Sequence, residues 1–185
     1  MLQHRFIDSA LRNPDKIAFI DRSIDRNVSY SQALFASLIL ARRFKKLERG
    51  RIGVMLPTSS AGGLAVIAAL MADRTPVMIN YSTGAEKNCH YAQEQCDFRV
   101  IVTAKALLEK TGCKQLPNMV FIEDILGALG TFEKALAFVK SKLPISVLKR
   151  AAGKSNPDSP AVILFTSGSE KEPKVVQLTQ RNILS

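Results

Sequence analysis

The chain has 185 residues, of which 46% are hydrophobic and 23% charged. This composition is ordinary for a globular domain and excludes a wholly disordered chain, a collagen-like chain and a coiled coil. Lysine and arginine number 26 against 16 aspartates and glutamates, a net charge of +10, which favours anionic partners. With no tryptophan and 6% aromatic residues, the chain offers little for stacking bases, so we expect no nucleic-acid partner.

Short apolar runs alternate with helical patterns along most of the chain. This spacing predicts an α/β fold with a mostly parallel sheet and helices on both faces. The predicted strands are Ile17–Ile20, Ile52–Leu56, Pro76–Asn80, Val100–Thr103, Met119–Ile122 and Ala161–Thr166. The predicted helices are Ser31–Leu47 (with Ser31 as its cap), Ala61–Ala72, Ala85–Gln95 and Lys105–Lys110.

The uncharged run 52–72 has the length of a membrane span. Pro57 and the small polar residues after it divide the run into a strand and an Ala-rich helix, so we do not expect it to cross a membrane. The first sixteen residues carry charges throughout and do not resemble a secretory signal.

Residues 131–154 are strongly basic, with six lysines and arginines against the single acid Glu133. Apolar residues are interleaved with the bases, which predicts two short amphipathic helices broken near Pro144. Two interpretations stay open. The segment is a surface excursion with a solvated charged face, or a patch that rests on an anionic membrane or meets an acidic partner.

The residues with the clearest chemistry follow the last apolar strand, in the sequence TSGSEKEPK from Thr166 to Lys174. Gly168 lets the backbone turn and present N–H groups, hydroxyls surround it, and Lys174 adds a positive charge. The loop is not a Walker A motif, because Pro173 stands where that motif has glycine. A polar turn with Ser and Thr caps is the alternative; the strand before it and the Pro-Lys after it favour phosphate binding.

This loop resembles the ATP-phosphate loop of the AMP-forming acyl-activating (adenylate-forming) enzymes, which include acyl-CoA synthetases, luciferases and nonribosomal adenylation domains. The resemblance extends over nearly the whole chain. It is greatest to the acyl-[acyl-carrier-protein] synthetase half of bacterial bifunctional 2-acylglycerophosphoethanolamine acyltransferase/acyl-ACP synthetases. The stretches that carry it are RIGVML from Arg51, PVMINYSTGAE from Pro76, VFIEDI from Val120 and DSPAVILFTSGS from Asp158.

The resemblance implies a ligase that uses ATP and Mg²⁺ to convert a fatty acid to an acyl-adenylate. The acyl group then passes to the thiol of acyl carrier protein or CoA, in the service of phospholipid acylation. The implied phosphate-binding residues are Thr166, Ser167, Gly168, Ser169 and Lys174, with Glu170 and Lys171 near the phosphates.

The resemblance also divides the chain. Residues 1–130 would form an α/β N-terminal subdomain, 131–157 a basic helical excursion and linker, and 158–185 a strand, the phosphate loop and the start of a helix. It places no catalytic residue and no protein metal ligand within these residues, so we expect an N-terminal fragment without adenylation activity of its own. The family pattern has glycine at the positions of Lys171 and Val175, and commonly histidine at that of Gln180. These departures bear on the loop's conformation and on its affinity for ATP.

Several other residues bear on the site or the compartment. Asn80 and Tyr81 end a predicted strand, where they either line the ligand cleft or only pack the loop. Cys89, His90 and Cys96 lack an evident fourth metal ligand, so buried thiols are the better interpretation. The free thiols suit a reducing compartment, and the resemblance places the protein in the bacterial cytoplasm, with the cytoplasmic face of the inner membrane as an alternative.

Two functions therefore compete. The first is a fragment of an ATP-dependent fatty-acid-activating ligase. The second is a noncatalytic basic module that docks through residues 131–154 on an anionic membrane or an acidic carrier protein.

Overall fold

The computed structural model describes residues 1–22, 24–153, 156–166 and 173–185. Its strands are β1 (Ile17–Asp21), β2 (Arg26–Ser29), β3 (Gly50–Val54), β4 (Arg74–Met78), β5 (Ile101–Thr103), β6 (Met119–Phe121), β7 (Pro160–Phe165) and β8 (Val175–Thr179). Its helices are α1 (Leu2–Arg12), α2 (Tyr30–Phe44), α3 (Ser60–Met71), α4 (Ala85–Cys96), α5 (Lys105–Thr111), α6 (Ile122–Gly127), α7 (Thr131–Ser141), α8 (Ile145–Ala151) and α9 (Gln180–Leu184).

Six strands form one sheet in the order β6-β5-β3-β4-β7-β8. The first five run parallel, and β8 pairs antiparallel with β7 at the edge. β1 and β2 form a separate antiparallel pair. The predicted α/β fold with a mostly parallel sheet is confirmed; the return strand β8 and the hairpin partner β2 were not predicted.

Each face of the sheet packs against helices, because successive strand residues point to opposite sides. Ile52 and Val54 of β3 join a core with α1, α2 and α3, whereas Val77 of β4 and Ile101 of β5 join a second core with α4 and α5. The sheet is therefore covered on both faces, as predicted, and its strand ends are left to form a site.

The predicted cap of α2 was wrong. Ser29, not Ser31, caps the helix. Its hydroxyl accepts from the backbone N–H of Gln32, and the Gln32 side chain accepts in return from the N–H of Ser29. This reciprocal capping box satisfies two donors at once, which Ser31 in the first turn of the helix does not do. The Ser31 hydroxyl lies 3.0 Å from that of Ser29.

The uncharged run 52–72 forms the end of β3, a loop and α3. Over the described ranges, no helix combines the length and the apolar character that crossing a membrane requires. The predicted break near Pro144 is also confirmed, since α7 ends at Ser141 and α8 begins at Ile145.

Candidate phosphate-binding site

The site predicted from the sequence lies where β4 and β7 end side by side. Val77 of β4 is opposite Ile163 of β7 in a parallel register. Three residues further along each strand stand Asn80 and Thr166, so both lie at the carboxyl edge of the sheet. Ligands of open parallel sheets bind outside this edge.

Thr166 and Lys174 face each other across the β7–β8 hairpin. The N–H of Thr166 donates to the carbonyl of Lys174 over 3.0 Å, and Phe165 pairs with Val175 next to it. Both Thr166 and Lys174 are exposed at the surface. The structure thus brings together two of the predicted phosphate-binding residues. The others, Ser167, Gly168, Ser169, Glu170 and Lys171, lie outside the described residues, and their roles stay predictions.

Tyr91 of α4 fastens both stems of this hairpin to the body of the protein. Its hydroxyl donates to the carbonyl oxygen of Pro173 over 2.7 Å. Its ring lies 5.9 Å from that of Phe165, centroid to centroid, at an angle of 60°. One side chain therefore contacts the residue before Thr166 and the residue before Lys174. Sequence reasoning missed Tyr91, since its partners are far away in the chain.

Asn80 shapes the loop that precedes α4. Its Oδ1 accepts from both the N–H and the hydroxyl of Ser82, at 2.9 and 2.7 Å. Asn88 of α4 donates to the carbonyl oxygens of Asn80 and Thr83. These bonds support the loop-packing interpretation of Asn80. Half-buried Tyr81 packs against the core beneath α4, and the role of either residue towards a ligand stays a prediction.

Two of the departures from the family pattern have a structural explanation. Val175 is the first residue of β8, where a β-branched residue is favoured. Gln180 begins α9 and is only 2% exposed. Its Oε1 accepts from the N–H of Leu2 over 2.7 Å, and its Nε2 donates to Gln3 over 3.3 Å. Gln180 thus joins α9 to α1.

The thiols near the sheet are structural. Cys89 and Cys96 are buried, as predicted, and Cys113 is half-buried. Burial raises the pKa of Cys89 to about 12, so the thiol stays protonated and unreactive at neutral pH. Among the described residues, no group of three or more His, Cys, Asp or Glu side chains is placed to hold a metal ion.

The sequence profile of the AMP-binding enzyme family matches residues 6–185. The chain belongs to the AMP-binding enzyme family. A curated relative, the long-chain-fatty-acid–CoA ligase ACSBG2 of Xenopus laevis, is 25% identical over 199 residues, which cover 96% of this chain and 26% of the relative. This member of the family therefore spans about a quarter of that relative's length.

Solved structures of adenylate-forming enzymes share the fold. VinN in complex with L-aspartate superposes with a TM-score of 0.72 at 20% identity, over 98% of this chain and 49% of VinN. The nonribosomal peptide synthetase FmoA3 in its AMPPNP-bound form gives a TM-score of 0.71 at 18% identity, over 98% of this chain and 17% of FmoA3. These likenesses confirm the fold of the N-terminal part of such enzymes; the narrower resemblance to bacterial acyl-ACP synthetases stays a prediction.

Proposed function

We propose that this chain binds the phosphates of ATP as part of an AMP-forming ligase that activates a fatty acid. One observation carries the proposal. In a member of the AMP-binding enzyme family, Thr166 and Lys174 are paired at the carboxyl edge of the sheet. The name of the Xenopus relative gives a long-chain fatty acid and CoA as that protein's substrates, which supports the same classes here.

The reaction needs positive charge where the phosphates leave. A fatty carboxylate oxygen attacks the α-phosphorus of ATP, a new oxygen–phosphorus bond forms, and the bond to the β-phosphate bridging oxygen breaks. Pyrophosphate leaves with that electron pair. A thiolate then attacks the acyl carbon and AMP departs, which gives the thioester. The ammonium of Lys174 stabilises the charge that grows on the departing phosphates.

The neighbouring groups would orient the triphosphate. The Thr166 hydroxyl and, by the sequence prediction, those of Ser167 and Ser169 donate to phosphate oxygens. Lys171 adds a second charge and Glu170 stands beside it. Mg²⁺ would enter with ATP, bound to its phosphates, and would neutralise part of their charge.

The acceptor thiol is a finer part of the proposal. The relative favours CoA, whereas the resemblance to bacterial acyl-ACP synthetases favours acyl carrier protein and a role in phospholipid acylation. Full-length protein supplied with a fatty acid, ATP and each acceptor in turn distinguishes them by which thioester accumulates. On the basis of that resemblance we also propose that the protein is located in the bacterial cytoplasm.

The noncatalytic binding module is the weaker alternative as a whole function, because the family match spans residues 6–185 and not the basic segment alone. The exposed face of α7 and α8 supports a docking role only as a property additional to the ligase activity.

The proposal is tested by calorimetric titration of ATP–Mg²⁺ into the wild type and into Lys174→Ala. Loss of a charge-assisted contact costs about 1.5–3 kcal/mol, so we expect affinity to fall by about 10- to 100-fold. Lys110→Ala is the matched control, since Lys110 is an exposed lysine on α5 and should bind as the wild type does. Equal binding by Lys174→Ala and the wild type would refute the proposed role of this lysine.

A further inference from the structure

The outer face of α7 is apolar although it is exposed to solvent. Phe132 is 75% exposed, and Phe138 and Val139 are each 59% exposed. The helix attaches to the protein by its other side, where Ala137 is buried and Glu133 pairs with Arg43 of α2. On α8, Ile145 and Val147 are 41% and 46% exposed. A merely solvated helix face would be polar.

Exposed positive charges accompany this apolar face on α7, α8 and the turn between them. Lys134, Lys140, Lys142 and Arg150 are all exposed, and the ammonium of Lys142 lies 5.7 Å from the centre of the Phe138 ring. Glu133 is the single acid between residues 131 and 153, and its carboxylate contacts Arg43. The exposed charges of α7 and α8 are therefore all positive.

A concave region between α2 and these helices is also positively charged. A cavity of about 220 Å³ is lined by apolar residues of α2, α3, α8 and the turn before α8, with Arg42, Lys45 and Lys140 among its walls. Burial, followed by the charge of Lys140, lowers the pKa of Lys45, with Asp73 acting in the opposite direction. An anion at this rim would relieve the repulsion between the two ammonium groups.

We infer that α7 and α8 dock this protein peripherally on an anionic lipid bilayer, with Phe132 and Phe138 entering the headgroup region and the surrounding bases facing lipid phosphates. Exposed aromatic residues between bases on an amphipathic helix are typical of interfacial helices. Charge complementarity with anionic headgroups adds about 1 kcal/mol for each base near the surface. The face presents two phenylalanines to solvent among positive charges, which favours a bilayer over an acidic protein.

The docking surface is separate from the phosphate site. Beyond α8 the chain reaches Gly153, where a Cβ would lie 3.1 Å from the carbonyl oxygen of Leu70 at the end of α3. Because α3 ends just before β4 begins, this point lies at the amino edge of the sheet, opposite the edge that carries Thr166. We therefore expect variants of α7 and α8 to leave the phosphate site intact, so that the two proposals can fail independently.

The test is flotation of the whole chain with vesicles of phosphatidylcholine alone or mixed equally with phosphatidylglycerol, at low and high sodium chloride. We expect binding to the mixed vesicles at low salt and its loss at high salt, because salt screens the charges. Lys134→Gln with Lys142→Gln should weaken binding about 25-fold, about fivefold for each charge. Phe132→Gln with Phe138→Gln should weaken it about tenfold or more.

Matched control variants carry the same kinds of substitution at exposed positions outside α7 and α8. Lys110→Gln with Lys114→Gln removes two exposed charges beyond the docking surface, and Ile20→Gln removes an apolar side chain that is 60% exposed on β1; neither should change vesicle binding. The α7 substitutions are on the surface, so circular dichroism and ATP–Mg²⁺ binding should match the wild type.

Two results would overturn the inference. One is absence of flotation at low salt; if acidic acyl carrier protein then binds through the same lysines, the partner is a protein. The other is an equal loss of vesicle binding in the control variants, which would make net charge the cause.

Discussion

At the scale of single residues, Tyr91 contacts the chain on both sides of the predicted phosphate loop. Its hydroxyl reaches the carbonyl of Pro173 and its ring contacts Phe165, so it connects α4 to both stems of the β7–β8 hairpin. No feature of its local sequence identifies it. The contact joins residues 82 positions apart, and only the packed structure reveals it.

Tyr91→Phe removes this hydrogen bond and keeps the ring. A typical hydrogen bond contributes about 1 kcal/mol, so we expect the Kd for ATP–Mg²⁺ to rise by up to about fivefold, because the hairpin stem is less firmly positioned. Isothermal titration calorimetry measures the change. Tyr30→Phe, whose ring packs on Phe6, makes the same chemical change on α2 and should bind as the wild type does. Unchanged affinity in Tyr91→Phe would show that the Pro173 contact does not position the site.

At the scale of elements, the packing of β3 depends on Gly53, because three neighbouring side chains occupy the space that a Cβ at this position would need. A Cβ on Gly53 would lie 2.6 Å from Cε2 of Phe98, 3.0 Å from Cδ1 of Ile79 and 3.1 Å from Cγ1 of Ile101. These atoms belong to the core beneath α4 and α5.

Gly53→Ala should therefore overpack this core and lower the free energy of unfolding by about 2 kcal/mol. Urea denaturation measures the loss. Gly127→Ala in α6 is the control, since a Cβ there would meet no atom within 4 Å, and alanine favours a helix. If Gly53→Ala were as stable as Gly127→Ala, the described packing of β3 would be wrong.

The attachment of α8 to α1 should depend on pH. Lys149 donates to Oδ1 of Asp8 over 2.6 Å, and this hydrogen bond lowers the pKa of Asp8 below its ordinary value of 3.8. A lowered pKa in the folded state means that the ion pair stabilises the fold above the ordinary value. The stabilisation is lost as the pH falls through the lowered value.

Asp8→Asn should lower stability at neutral pH by up to about 1 kcal/mol and make unfolding less sensitive to pH below about pH 4. Thermal unfolding at a series of pH values measures both effects. Asp15→Asn, at an exposed aspartate beyond α1, should follow the wild-type profile. If thermal unfolding of Asp8→Asn and of the wild type depended on pH in the same way below about pH 4, Asp8 would not be the group responsible for the loss of stability in acid.

At the scale of the whole molecule, the sequence predicts the central parallel strands better than the short antiparallel strands. Central strands such as β3 and β4 are buried on both faces and form continuous apolar runs, so their positions and the strand–helix alternation could be predicted. β2 and β8 could not, because each is a short strand recognisable only by its antiparallel partner. Helix α1 is amphipathic and lies outside the predicted helices.

The residues of the candidate site also fall into two groups, those that a local sequence pattern predicts and those that only long-range contacts reveal. Thr166 and Lys174 were identified because a glycine between hydroxyls after a strand is a local pattern, and the rule for parallel sheets placed them at the carboxyl edge. Tyr91 and the burial of Gln180 against Gln3 depend on contacts between distant parts of the chain. Local patterns contain no information about such pairs.

The central claim is that this chain recognises the phosphate tail of ATP, and competition between nucleotides tests it most directly. Calorimetry should show that ATP–Mg²⁺ binds at least about tenfold more tightly than AMP, since β- and γ-phosphates each add charge-assisted contacts. Pyrophosphate–Mg²⁺ should displace ATP. Equal affinities for ATP and AMP, with no displacement by pyrophosphate, would contradict the account.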